Sequence, residues 1–235
     1  MMTDQYDVSF IRLVFGQPQP VDGVIAFGAF TAPEMDFLRS LSFAIVFVNS
    51  DQHNYEFDQI QVDFDQGLKQ MAAYLLDKKQ YRGIGYIGGV YEHGGVRIGG
   101  RRLSGLRRIL EERGLYDPTV FHVGDISVKR LYSCPAGRTR GRLAEAMLLG
   151  SDEVAEGALE AFRELGLRVP KDVAVIIYQD IQTLESKWPT GTCIEMFPDY
   201  IWENALEILF GRISQKRTQA VTVVVPTHIR IGDTA

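Results

Sequence analysis

Cysteine is scarce in this 235-residue chain: Cys134 and Cys193 are the only two, far apart and in unrelated segments. That count argues against a disulfide framework and a zinc cluster, and a reduced, cytoplasmic protein is expected. The four histidines, His53, His93, His122 and His228, have no metal-like spacing, so no metal and no other cofactor is expected. Long apolar runs are missing as well; none approaches the roughly 18 residues that a membrane span needs, and Met1 to Asp7 does not read as a signal peptide. A membrane partner is therefore not expected. There is no excess of positive charge: 25 lysines and arginines face 30 acidic residues, for a net charge of −5. A chain gripping nucleic acid by itself would need a basic face to neutralise phosphates. Neither a G-x-S-x-G elbow nor a G-x-x-x-x-G-K-[ST] loop occurs, and the sequence is not expected to be that of an enzyme.

What is present is 46% hydrophobic residues, enough to fill a sizeable core. The stretch Met147 to Asp180 reads as one strand, helix and strand. Val154, Ala158, Leu159, Phe162 and Leu165 recur at helical steps, while Glu153, Glu156, Glu160 and Arg163 fall mostly on the other side. Ser151 or Asp152 is expected to cap that helix and Gly166 to end it. A right-handed crossover to the parallel strand Val173 to Tyr178 then places Ser151 and Gln179 together at the carboxyl ends of neighbouring strands, where open α/β sheets bind ligands.

Elsewhere the same alternation recurs. Val21 to Gly28, Phe43 to Val48, Ile60 to Phe64, Thr119 to Val123 and Val221 to Val225 read as strands; Val8 to Phe15 is a strand or a short helix. Pro33 to Leu41, Gln66 to Leu76, Gly100 to Arg113 and Ile201 to Phe210 read as helices, and Trp188 to Thr192 as a turn. The fold class is α/β with parallel sheets. Gly83 to Gly89 matches G-x-G-x-x-G literally, but the glycines fall inside an apolar strand rather than in a turn that opens a helix. A nucleotide-using α/β enzyme working through that loop is the alternative function, and a ligand-less oligomerisation module is another. Asp63 and Asp65 resemble a carboxylate pair, although solvated or capping roles suit them better.

Taken in order, several fragments form a pattern: Val21-Asp22-Gly23-Val24-Ile25, Ile84-Gly85-Tyr86-Ile87-Gly88-Gly89, Arg102-x-x-Gly105, Gly124-Asp125-x-Ser127, Ser151-Asp152-x-x-Ala155-x-Gly157-Ala158-Leu159, Gly166-Leu167-x-Val169-Pro170-x-Asp172-Val173, and Pro226-Thr227. The series resembles the effector-binding core of the LacI/GalR family of bacterial transcriptional repressors, most of all the galactose and evolved-β-galactosidase repressor branch. The resemblance implies a periplasmic-binding-protein-like fold of two parallel-sheet subdomains joined by three crossover strands. By position, residues 1–62 with 197–222 would form an incomplete N-terminal subdomain, and 63–196 with 223–235 the C-terminal one. It further implies a small sugar or galactoside effector in the cleft, a homodimer, and operator DNA bound only through an N-terminal reading head. Against the family pattern the sequence begins roughly at the second core strand, so DNA binding by this chain is not expected. The family's ligand positions fall on Asn49, Arg102, Ile126, Ser151, Gln179 and Met196. Arg102 would offer a forked donor to sugar hydroxyls, while Asn49, Ser151 and Gln179 could both donate and accept. Ile126 stands where the family often has an aromatic platform, and Gln179 where it has an aspartate. Ser151 reads equally as a helix cap; for Arg102 the cleft role is preferred to that of a surface partner of Glu111 or Glu112.

Overall fold

In the computed structural model the described residues are 8–10, 20–50, 56–93, 96–124, 143–179 and 188–235. They form two compact units: the chain up to Val62 with Glu92–Val96 and Pro198–Val225, and Asp63–Tyr91 with Arg97–Phe197 and Pro226–Ala235.

In the first unit, short apolar runs make a sheet of five strands in the order β1-β2-β3-β4-β12. These are β1 (Val8–Phe10), β2 (Gly23–Phe27), β3 (Ile45–Val48), β4 (Asp58–Asp63) and β12 (Thr222–Pro226). The first four pair in parallel. Every residue of β3 is buried, as a parallel strand covered on both faces requires. One face carries α1 (Ala32–Leu41), whose Met35, Leu38 and Leu41 meet Val24, Ala26, Ile45 and Phe47. Thr31 and Glu34 start it as a capping box. Against β2 and β3 also lies α5 (Pro198–Gln215), longer than the spacing of its apolar residues alone predicts. It approaches closely because residue 23 is glycine: a Cβ there would stand 2.9 Å from Leu209 and Ile213 methyls. The fully buried Asp58 carboxylate fixes the end of α5 and the chain beyond it. Arg217 grips both of its oxygens at 2.8 and 2.9 Å, Arg212 lies at 3.4 Å, and the Val221 N–H donates at 2.7 Å.

The second unit holds a six-stranded sheet in the order β13-β11-β10-β9-β5-β8. Its members are β5 (Ile84–Gly89), β8 (Phe121–Gly124), β9 (Ala146–Leu149), β10 (Ala174–Tyr178), β11 (Cys193–Glu195) and β13 (His228–Arg230). All pair in parallel except β13, which runs antiparallel to β11, so the sheet is parallel-dominated as expected with one antiparallel edge strand. Thr119 and Val120 belong to a 3₁₀ turn ahead of β8 rather than to the strand itself. A separate two-stranded pair, β6 (Tyr91–His93) and β7 (Val96–Ile98), leads into α3 (Gly100–Glu112).

The predicted strand, helix and strand unit is present as β9, α4 (Asp152–Glu164) and β10. Val154, Ala155, Ala158 and Phe162 of α4 pack on Met147, Leu149, Val175 and Ile177. On the same sheet α2 (Phe64–Ala72) packs against β11 and β13 and is itself covered by α3. Beyond Ala72 it continues as a π-helical turn to Lys78, a widening that helical spacing does not reveal.

The glycines of the Gly83 to Gly89 stretch have a packing explanation. They lie in or beside buried β5, where a Cβ on Gly85 would stand 2.6 Å from the Met147 sulfur and one on Gly88 would collide with the Tyr86 ring. Gly88 leaves room for the ring of Tyr86, only 1% exposed, which lies along its own strand, and Gly85 leaves room for Met147 and the Val120 carbonyl.

Candidate functional site

Four candidate residues belong to the second unit. Leu149 pairs with Ile177, so Ser151 and Gln179 stand level, each two residues past the paired position on adjacent strands. Ser151 is the N-cap of α4, its hydroxyl accepting from the Val154 N–H at 3.2 Å. The hydroxyl proton of such a cap is still available to donate. Gln179 is buried, with its backbone N–H donating to the Ile194 carbonyl at 3.1 Å. Met196, just past β11, is fully buried, so packing accounts for that side chain in the described structure.

Arg102 lies in the first turn of α3 and reaches the strand ends. Its Nη1 donates to the Gly150 carbonyl, immediately before Ser151. Its guanidinium lies 4.6 Å from the centroid of Tyr178 and 5.5 Å from that of Phe64, within cation–π range of both. Glu111 takes Arg107 as its partner at 2.6 Å. Phe64 and Tyr178 are 5.8 Å apart and form a shelf under the arginine. Burial pushes the Tyr178 phenol well above the ordinary tyrosine range, and the Arg102 charge pulls it part of the way back. The same two causes, in the same order, act on Tyr86. Tyr86 also explains Gly150: a Cβ there would stand 2.5 Å from the phenol oxygen. The bend at Gly150, whose carbonyl meets Arg102, thus packs directly on the Tyr86 phenol from β5.

Asn49 belongs to the first unit. It follows β3 with a left-handed φ of 51°, a conformation asparagine tolerates better than most residues, and its N–H donates to the Ile60 carbonyl at 2.8 Å. Ile126 lies outside the described residues, as do Cys134 and His53.

The Asp63 and Asp65 pair resolves into two separate roles. Asp63 caps α2, accepting from the N–H groups of Asp65 at 2.9 Å and Gln66 at 3.3 Å. Asp65 pairs with Arg108 at 2.6 Å. Both border a polar groove of about 610 Å³ between the start of α2 and α3, where Arg107 and Arg108 each meet a carboxylate. Among the described residues no group of three or more metal-ligating side chains converges, and no helix is long and apolar enough to cross a membrane.

Sequence reading missed Tyr178, Phe64 and Gly150 as the support of Arg102. One signal was present: a tyrosine ending an otherwise aliphatic strand must find a partner for its hydroxyl.

Comparison with known proteins extends this picture. The family described as periplasmic binding protein-like domain matches residues 72–235. The HTH-type transcriptional regulator GanR of Bacillus subtilis is 27% identical over 218 residues, covering 90% of this chain and 66% of its own. The HTH-type transcriptional regulator GalR of Streptococcus thermophilus is 26% identical over 218 residues, covering 91% of this chain and 64% of its own. The chain thus spans just under two thirds of these relatives' lengths. Among solved structures, a complex of the transcriptional regulator CelR with cellobiose superposes with a TM-score of 0.72 at 25% identity, covering 92% of this chain and 66% of that one.

Proposed function

The chain belongs to the periplasmic binding protein-like family, in its LacI/GalR group of transcriptional regulators, and from that premise we propose that it binds a small sugar or galactoside and thereby controls operator binding by a full-length regulator. The observation that carries the reading is Arg102, a forked cation at the carboxyl edge of the second unit's sheet. It is held by the Gly150 carbonyl and two aromatic rings beside Ser151 and Gln179. A guanidinium oriented this way loses little further freedom when it donates to a hydroxyl. Ser151 and Gln179 carry groups that both donate and accept, as a hydroxyl does. Gln179, where the family has an aspartate, places an uncharged amide beside the Arg102 cation, able to both donate and accept. The cellobiose held by the CelR relative supports a sugar as the ligand class.

The protein works in the cytoplasm as a homodimer, and exposed Tyr200, Phe210 and Val224 offer apolar surface for a second copy. DNA contact belongs to a separate reading head, consistent with the chain's net charge of −5. Enzymatic chemistry is not part of the function.

A thermal-shift screen against galactose, lactose, cellobiose, sugar phosphates, NAD and ATP tests the reading. Ligand at a hundredfold excess over Kd adds about 2.7 kcal/mol to stability. One sugar class should raise the midpoint. A shift with NAD or ATP alone would transfer the function to the nucleotide alternative.

A further inference from the structure

The first turn of α2 is not closed in the usual way. In a regular helix the cap residue's carbonyl accepts from the N–H four residues on. Here the Thr227 hydroxyl stands between them: it accepts from the Gly67 N–H at 2.9 Å and donates to the Asp63 carbonyl at 2.7 Å. The Thr227 N–H approaches the same carbonyl at 3.3 Å. The insertion is close-fitting, since a Cβ on Gly67 would lie 2.7 Å from the Thr227 oxygen and 2.5 Å from an Ile194 methyl. The next carbonyl of the turn, that of Phe64, accepts from the Tyr178 hydroxyl at 3.3 Å. Two buried hydroxyls from distant parts of the chain thus hold two successive carbonyls.

Their positions in the chain give this clamp its meaning. Asp63 is the first residue of the second unit after Val62, and Pro226, beside Thr227, is the first after Val225. Tyr178 is also the ring on which Arg102 rests.

We propose that Tyr178 and Thr227 are positioning residues that couple Arg102 to the first turn of α2, so that a ligand drawn to Arg102 changes how firmly that turn is held where the chain passes between its units. The coupling runs from the guanidinium to the Tyr178 ring, through its hydroxyl to the Phe64 carbonyl, and from there to the Asp63–Thr227–Gly67 insertion. The ligand part of this inference rests on the effector reading above; the coupling within the protein does not.

Amide hydrogen exchange at Gly67, measured relative to Ile177 in the core of β10 to remove any global effect, tests it in the ligand-free protein. Arg102→Ala touches neither Gly67 nor Thr227, yet it should speed Gly67 exchange about fivefold, the equivalent of one net hydrogen bond. Tyr178→Phe, which keeps the ring and removes the hydroxyl, should do the same. Adding Arg102→Ala to it should then have a much smaller effect than in the wild type, what remains being its direct contact with the Phe64 ring. An unchanged Gly67 rate in Arg102→Ala, or an Arg102→Ala effect that persists undiminished with Tyr178→Phe, would overturn the coupling. A sugar that raises the midpoint should slow Gly67 exchange in the wild type and not in Tyr178→Phe. Binding without slowing would also overturn the coupling, whereas absence of any sugar binding would count against the effector reading and leave the ligand-free result to decide this one.

Discussion

Replacing Gly88 by alanine separates the two meanings of the glycine-rich stretch. If those glycines cradled a nucleotide, the substitution would abolish binding and leave the fold intact. In the structure, the added methyl would lie 2.5 Å from Cζ and 2.7 Å from Cε1 of Tyr86, and nearer still to its hydroxyl. The ring has little room to retreat, because it is buried and stacks 6.3 Å from Phe121. Overpacking of this kind costs about 1 to 3 kcal/mol, and a clash with a ring belongs near the upper end. Restricting the unfolded chain returns about 0.4 to 1 kcal/mol. The net loss is about 2 kcal/mol, or a fall in thermal midpoint of about 4 to 8 °C for a chain of this size. Gly211, inside α5, supplies a control of opposite sign: its Cβ would meet nothing within 4 Å, so Gly211→Ala should add about 0.5 to 1 kcal/mol. In a Tyr86→Ala background the cost of Gly88→Ala should largely vanish, a coupling that urea titration of the four proteins would measure. A Gly88→Ala protein of unchanged midpoint that had lost saturable NAD or ATP binding would refute the packing argument.

Three further outcomes follow from buried groups. Asp58→Asn leaves Arg212 and Arg217 without their shared charge and should cost about 3 to 5 kcal/mol in urea unfolding; loss of the exposed Arg39–Asp36 pair, 44% and 75% accessible, should cost under about 1 kcal/mol, and equal effects would contradict the account. Burial raises the Tyr178 and Tyr86 phenols above their unfolded value, so the stability tied to their neutral forms is complete below about pH 10 and is lost as pH rises beyond it. The midpoint should therefore fall more steeply above that pH in the wild type than in Tyr178→Phe, and identical curves would count against it. Burial pushes the Cys193 thiol up to about 11, against the pull of the Arg230 guanidinium. In a Cys134→Ser background it should react with a thiol reagent at pH 8 only as fast as the protein unfolds, and immediate stoichiometric labelling would show the thiol to be accessible.

The elements that were legible in the sequence share a physical character. β9, α4 and β10 stand out because an unbroken apolar run, a helical period and a second apolar run follow one another, with Ser151 and Gly166 as punctuation. The three-residue strands β11 and β13 carry no such signal. They exist because β10 offers an open edge and because Arg230, on β13, spends its guanidinium on Glu195 at 2.6 Å and on the carbonyls of Trp188, Pro189 and Gly191. The candidate site divides in the same way. Ser151 and Gln179 could be placed together from strand register alone. The support of Arg102 could not, because Phe64, Gly150 and Tyr178 are brought to it from three separate elements. Asp63 shows the limit of strand alternation as a guide, since the strand ends at that residue and its carboxylate turns to cap the helix.

The most direct test of the central claim is a calorimetric titration of the wild type and Arg102→Ala with galactose, lactose and cellobiose. The account predicts that one of these sugars binds the wild type and that Arg102→Ala weakens its binding at least about tenfold, the loss of one charge-assisted hydrogen bond. Sugar binding of equal affinity in both proteins would remove Arg102 from the site and contradict the claim.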